Sequence, residues 1–225
     1  TLTDTKDTDG RIVTQVYAEA AFYDLSFSEE KDTVDFNADT AKAPMRHALD
    51  GTGWSVGTVN VTTKRTWQCT EKNALSILRA TQNIHGGDLI FDCPNRLVHL
   101  LTFGGNDSGA LFAYRKNLKS IERVVDTRSL VTRLYAYGKD GMTFASINNG
   151  KEYVEDFTYT GEVRISTLDC SNFTNPYQML EFTEMRLAQY CKPRVSYVLS
   201  AMDLSALTGY EHEAWALGDI VTVDD

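Results

Sequence analysis

The sequence is short of most features that announce a chemistry. No uninterrupted apolar run approaches the roughly 18–20 residues of a membrane-spanning helix, and no charged-then-apolar leader opens the chain. There is no internal repeat and no low-complexity stretch. Cysteine is sparse: Cys69, Cys93, Cys170 and Cys191 lie far apart with no CxxC. Zinc wants short paired spacings, and a disulfide framework wants more cysteines in fewer residues. The four are expected to be reduced, buried thiols. Basic residues are in deficit, 22 against 31 acidic, for a net charge of −9. They are also scattered, with only Lys64-Arg65 and Arg115-Lys116 side by side. Binding to a phosphate backbone, which needs clustered Lys and Arg, is disfavoured.

Catalytic signatures are missing in the same way. His47, His85, His99 and His212 form no HExxH and no close pair. No GxSxG elbow places a serine nucleophile. A Cys–His pair would have to be made by the fold, and no local signature surrounds any cysteine. His85-Gly86-Gly87-Asp88 lacks the Lys-Ser/Thr of a P-loop and follows a helix, where a phosphate cradle precedes one. It reads as a helix stop. Gly104-Gly105-Asn106-Asp107-Ser108-Gly109 lies between strand-like runs and reads as a loose hairpin loop. Asp7-Thr8-Asp9-Gly10 invites a calcium loop, but the register puts Thr5 first and Val16 where a bidentate Glu is needed. Glu211-His212-Glu213 reads as a surface acidic turn. The expectation is therefore no catalytic, no cofactor-binding and no metal residue, and no cofactor.

What is present is a globular composition, 42% hydrophobic and 24% charged. A chain of 225 residues holds one large domain or two small ones. It opens with Thr1-Leu2-Thr3, without an initiator Met, and stops at Asp224-Asp225 just after Ile220-Val221-Thr222-Val223. That reads as a piece of a longer polypeptide.

The local pattern mixes strands with three helices. Asp9-Gly10 and Ile12 to Tyr17 predict a hairpin. Asp39 or Thr40 is expected to cap a helix that accepts Pro44 in its first turn, buries Ala41, Met45, Ala48 and Leu49, and stops at Gly51. Trp54 to Val59 reads as a strand. A second helix follows Thr70, with Ala74, Leu78, Thr81 and Ile84 on one face. Leu89 to Phe91 and Arg96 to Phe103 are strands joined by a turn at Pro94-Asn95. Ile121 to Val125 and Leu130 to Tyr137 alternate as half-buried strands do. Met142 to Ile147 and Glu152 to Tyr159 flank Asn148-Asn149-Gly150, a hairpin signal. Asn175 and Pro176 start a third helix that ends before Pro193. Val195 to Ala201 and Ile220 to Val223 close the series. The class is α+β, strands predominating. The aromatic fraction is 11%, and Tyr135, Tyr137, Tyr153, Tyr159 and Tyr197 sit in strand-like runs, where they pack across strands or anchor interfaces. A sugar-gripping surface would favour clustered aromatics, whereas Trp54, Trp67 and Trp215 lie far apart in sequence.

Three segments carry a resemblance. They are Gly51-Thr52-Gly53-Trp54-Ser55-Val56-Gly57, then Asn73-Ala74-Leu75-Ser76-Ile77-Leu78 leading to Gly86-Gly87-Asp88-Leu89-Ile90-Phe91-Asp92, and a longer third. That third runs Lys116-Asn117-Leu118-Lys119-Ser120-Ile121-Glu122-Arg123, then Val131 to Gly141, then Asn148 to Tyr153. Together they resemble the prophage endopeptidase-tail family, the tail-associated hub proteins of siphophages infecting Gram-positive bacteria. The resemblance implies a structural protein like the baseplate hub of contractile tails. Such a hub is a homotrimer closing the tail tube, with two related β-barrel domains per subunit. It implies the end of a first hub barrel at 1–20 and an inserted mixed α/β domain at 21–115. Strands returning to the first barrel and a second barrel would follow at 116–225, with one helix near 175–191. The run from Ile121 to Tyr137 would form barrel wall, with the Asn149-Gly150 hairpin projecting from it. Implied partners are a homotrimer, the distal tail protein ring and other tail-tip proteins. DNA passes but is not bound specifically. The implied place is the virion tail tip, after synthesis in the bacterial host cytoplasm. A lysin would lie elsewhere on the polypeptide, so no enzyme is expected here. The alternatives are a cell-wall hydrolase segment and a carbohydrate-binding tail adhesin.

Overall fold

A computed structural model describes residues 2–6 and 9–224, without the side chains of Leu2 and Val13. The chain begins with an antiparallel hairpin of β1 (Leu2–Lys6) and β2 (Ile12–Val16). The turn residues Asp7 and Thr8 lie outside the described residues. A 3-10 turn at Ala21–Phe27 leads to β3 (Val34–Thr40), α1 (Lys42–Leu49), β4 (Ser55–Val59), β5 (Lys64–Cys69) and α2 (Ala74–His85). Then come β6 (Asp88–Asp92), β7 (Leu97–Leu101), β8 (Asp107–Ala113), β9 (Leu118–Asp126) and β10 (Arg133–Gly138). The last elements are β11 (Tyr153–Glu155), β12 (Ile165–Cys170), α3 (Pro176–Tyr190), β13 (Arg194–Ala201) and β14 (Ile220–Asp224). The class is α+β with strands predominating. Among the described residues the strands form six small sheets, two of three strands and four of two, and none closes into a barrel.

Helix starts follow local chemistry where a side chain is free to cap. Asn73 Oδ1 accepts the Ser76 amide at 2.9 Å, and Asn175 Oδ1 accepts those of Tyr177 at 3.0 Å and Gln178 at 3.3 Å. Pro176 takes the first helical position, where its missing N–H costs nothing. α1 departs from expectation. Asp39 and Thr40 belong to β3, and Ala41, fully buried, takes the cap position with no side-chain bond. Asp39 instead accepts the Asn37 amide at 3.1 Å.

One core runs from Leu25 to Cys191, and β5 is its seam. The side chains of β5 alternate, with Arg65, Trp67 and Cys69 buried. On one side β5 pairs with β3, setting Trp67 opposite Phe36. On the other, Trp67 bridges to Phe173, and the Gln68 amide donates to the Asn172 carbonyl at 2.8 Å. Two side chains of α3 reach the same strand: the Gln178 carbonyl oxygen accepts the Thr66 amide, and Glu181 pairs with Arg65 at 2.9 Å. α3 also packs on β10, whose Leu134 and Ala136 are buried at the centre of the β11-β10-β12 sheet.

Two further expectations fail. Met142 to Ile147 is not a strand. Phe144 is fully buried, and the chain around it winds through 3-10 turns at Lys139–Gly141 and Ala145–Ile147. Asn149 and Gly150 do reverse the chain, at φ of 53° and 80°, but β11 returns to pair with β10 rather than with a neighbour at 142–147. The run from Ile121 to Tyr137 is not one wall either. Asp126 ends β9 by accepting the backbone and guanidinium of Arg128, which holds its carboxyl well below the usual range. β10 begins seven residues later, by numbering, in a different sheet. Trp67→Ala is expected to cost about 3–5 kcal/mol, read from the urea midpoint, because it empties the seam between β3, β5 and α3.

Candidate assembly surface

The residues that sequence alone offered for chemistry are dispersed. His47 Nε2 lies 3.2 Å from the Asp32 carbonyl, and His99 Nδ1 accepts the Thr58 amide at 2.9 Å beneath Gly57. His85 is buried at the end of α2, its Nδ1 3.1 Å from the Thr63 carbonyl and its Nε2 without a partner. Among the described residues no three His, Cys, Asp or Glu side chains form a group that could hold a metal. The four cysteines are free thiols: Cys69, Cys170 and Cys191 are buried, and Cys93 is half-buried. Burial raises the pKa of Cys69 and Cys191, and pushes that of Cys170 up to about 12, the reverse of what a nucleophile needs. The Gly86-Gly87 turn sits at the carbonyl end of α2, as a helix stop does.

A cleft of about 700 Å³ lies between α2 and α3. One of its cations, Arg186, is already engaged. Arg186 donates to the carbonyl of Asn83 at 2.7 Å and lies over the Phe182 ring, 5.0 Å from its centroid. It ties one helix to the other. The tyrosine reading holds at β10 and β11, where Tyr135 and Tyr153 pack across strands at 5.1 Å with Arg133 over the second ring. Of the tryptophans, Trp54 and Trp67 are buried, while Trp215 is exposed and meets Phe112 edge-on.

Three two-stranded ribbons lie outside the main core and carry exposed apolar side chains. β9 and β13 pair antiparallel, with Val125 opposite Val195, Arg123 opposite Tyr197 and Ile121 opposite Leu199. These residues share one face; Val124 and Val198 lie on the other. Val125, Val195, Tyr197 and Val124 are all exposed, and Val198 is 61% exposed. In the β1–β2 hairpin every described side chain from Thr3 to Glu19 is exposed, with Ile12 at 73%. The third ribbon, β8 with β14, is parallel. Parallel strands occur almost always with both faces covered, and an isolated two-stranded ribbon is marginal in water. Gly105 and Gly218 set this third ribbon: a Cβ on Gly105 would fall 1.9 Å from the Gly218 carbonyl oxygen. The Gly-rich run expected to be a loop therefore ends early, and β8 begins at Asp107.

The acidic turn is also not wholly a surface feature. His212 is exposed, but Glu213 is buried, paired with Lys116 and accepting the Leu111 amide at 3.1 Å. The Glu-His-Glu string gave no sign of this, because the partners stand about a hundred residues earlier in the sequence.

Comparison with known proteins agrees with a tail origin. A family profile described as prophage endopeptidase tail matches residues 106–225, and one described as prophage endopeptidase tail domain matches residues 28–100. Among solved structures the chain is similar to the 43 kDa tail protein of prophage MuSo2 from Shewanella oneidensis, with 14% identity and a TM-score of 0.58 over 85% of this chain and 56% of that one. It is similar to prophage tail protein gp18 from Listeria monocytogenes EGD-e, with 17% identity and a TM-score of 0.59 over 88% and 60%. The tail protein from Neisseria meningitidis MC58 gives 11% identity and a TM-score of 0.67 over 100% and 68%. At these identities the likeness is one of fold. The chain spans 56% and 60% of the first two relatives' lengths. No curated protein matches significantly.

The buried His85 generates a pH dependence. Burial depresses its pKa from 6.5 to about 4. In the folded state the ring stays neutral down to about pH 4, while an unfolded imidazole protonates near pH 6.5. Protons therefore favour the unfolded chain between these values, and the stability present above pH 6.5 is lost as pH falls toward 4. Urea titrations at pH 7 and pH 4.5 are expected to differ by roughly 2–3 kcal/mol from this group. His85→Gln is expected to remove that part of the slope; an unchanged slope contradicts it.

Proposed function

Because the chain belongs to the prophage endopeptidase tail family and is thus a phage tail protein, we propose that it acts at the tail tip as part of a hub that closes the tube. The observation that carries this reading is the trio of ribbons outside the main core, which carry exposed apolar side chains rather than a reaction site. In this reading residues 1–20 are closing strands of a first barrel. Residues 21–115 are the inserted mixed unit, and 116–225 return to that barrel and begin a second. Three copies make a ring, seated against the distal tail protein and other tip proteins.

The segment is a scaffold rather than a hydrolase, and wall cleavage belongs to other parts of the polypeptide. DNA passes through without being held. Three copies carry about −27 of formal charge, and phosphate is repelled where carboxylates line a bore.

Gold-labelled antibody against the segment is expected to mark the distal end of tails in electron micrographs. Label distributed along the tube contradicts a hub. In a retardation assay at low salt the protein is expected to leave DNA unshifted. Tight binding that weakens steeply toward physiological salt contradicts the unsticking bore.

A further inference from the structure

β8 pairs with β14 along one edge, and among the described residues its other edge carries no strand. Three backbone groups on that second edge are nevertheless satisfied, and by side chains. The Leu111 N–H donates to Glu213 Oε2 at 3.1 Å. Asn117 Nδ2 donates to the Leu111 carbonyl at 3.1 Å, while Asn117 Oδ1 accepts the Ala113 N–H at 3.1 Å. These are the groups a neighbouring strand would use. The amide of Asn117 supplies one donor and one acceptor at the spacing of a strand residue, and the Glu213 carboxylate supplies the next acceptor.

Both side chains are buried, at 5% and 6% exposure. Burying a carboxylate is costly unless it is paired. Glu213 is paired: Lys116 Nζ meets its other oxygen, and His212 Nε2 stands 3.4 Å away. This bond to Lys116 holds the carboxylate to the turn that already carries Asn117. The device thus spans two segments far apart in sequence, the turn after β8 and the chain between β13 and β14. By contrast, among the described residues no side chain hydrogen-bonds the backbone of β13 from Val195 to Ala201.

We propose that Glu213 and Asn117 seal the outer edge of β8 against strand addition by a second copy of this chain. An unpaired edge is a template for pairing, and each additional copy brings open ribbons of its own. With β8 shut, strand pairing between copies is directed to edges that lack a seal, β13 among them. The seal fixes which edge takes part when copies gather.

The test is hydrogen exchange at single amides together with light scattering, on the purified 225-residue chain. In Glu213→Ala at low concentration, Leu111 is expected to exchange about tenfold faster or more than in the unaltered chain, the loss of one charge-assisted bond. Leu134 and Ala136 in β10 are expected to keep their protection, reporting an intact fold. In Glu213→Ala/Asn117→Ala, both Leu111 and Ala113 are expected to speed up. Its mass is then expected to rise with concentration above that of the unaltered chain. Should the double variant lose β10 protection, Glu213→Ala alone decides through the same two readouts. Unchanged Leu111 exchange in Glu213→Ala overturns the proposal. So does a folded variant whose mass matches the unaltered chain at every concentration.

Discussion

A two-stranded ribbon with no layer packed on it leaves apolar side chains in water; of the four such ribbons among the described residues, β3–β5 is built into the main core, while β1–β2, β8–β14 and β9–β13 contribute no residue to it. Val125, Val195 and Tyr197 on one face of β9–β13, and Val124 and Val198 on the other, are about half exposed to water. Leaving an apolar side chain exposed forfeits roughly 1.5–3 kcal/mol of burial. Five such side chains, each about half exposed, together forfeit several kcal/mol, a sizeable part of a domain's stability. Ordering a ribbon under those terms makes physical sense only where something covers it. The rest of the molecule can be read as a rigid base that presents these ribbons.

That rigidity comes from β5. Trp67 is held between Phe36 and Phe173, and Arg65, Thr66 and Gln68 are each tied to the segment around α3. The β4-β7-β6 sheet lies against α1 and α2, and the β10 sheet lies against α3. Through β5 the two become one body, with a core continuous from Leu25 to Cys191. β9 and β13 extend from the β10–α3 half, and Arg164 binds the chain below β9 by donating to the Thr127 carbonyl at 2.8 Å. A presentation surface of this kind suits the tail-tip role proposed above.

Much of this was legible in the sequence wherever the determinant was local. Asn73 and Asn175 announced their helices, because a cap needs only the next three residues. Pro94-Asn95 announced the turn between β6 and β7. The family resemblance rested on strings that fall on real elements, such as Lys116 to Arg123 running into β9. What was missed depended on distant partners. β3, β5 and β12 went unnoticed. β5 hides because its inward positions include Arg65, whose charge is answered only by Glu181 on α3. Met142 to Ile147 looked like a strand by composition, but Phe144 is needed in the core, and sinking it winds the chain. Glu213 looked like solvent-facing charge for the same reason: Lys116 and Leu111, which bury it, are remote in sequence. The barrels that the resemblance implies are not closed among the described residues, where the strands stay in six small sheets.

The covering of the β9–β13 ribbon is the claim on which the account turns. Hydrogen exchange at the amides from Val195 to Leu199 measures it directly, compared between the isolated 225-residue chain and intact phage tails. If the ribbon is an assembly surface, exchange in tails is slower by two orders of magnitude or so, the scale of a few kcal/mol of added protection. Equal exchange in the two states would mean that the ribbon stays bare in the assembled tail, and would contradict the account.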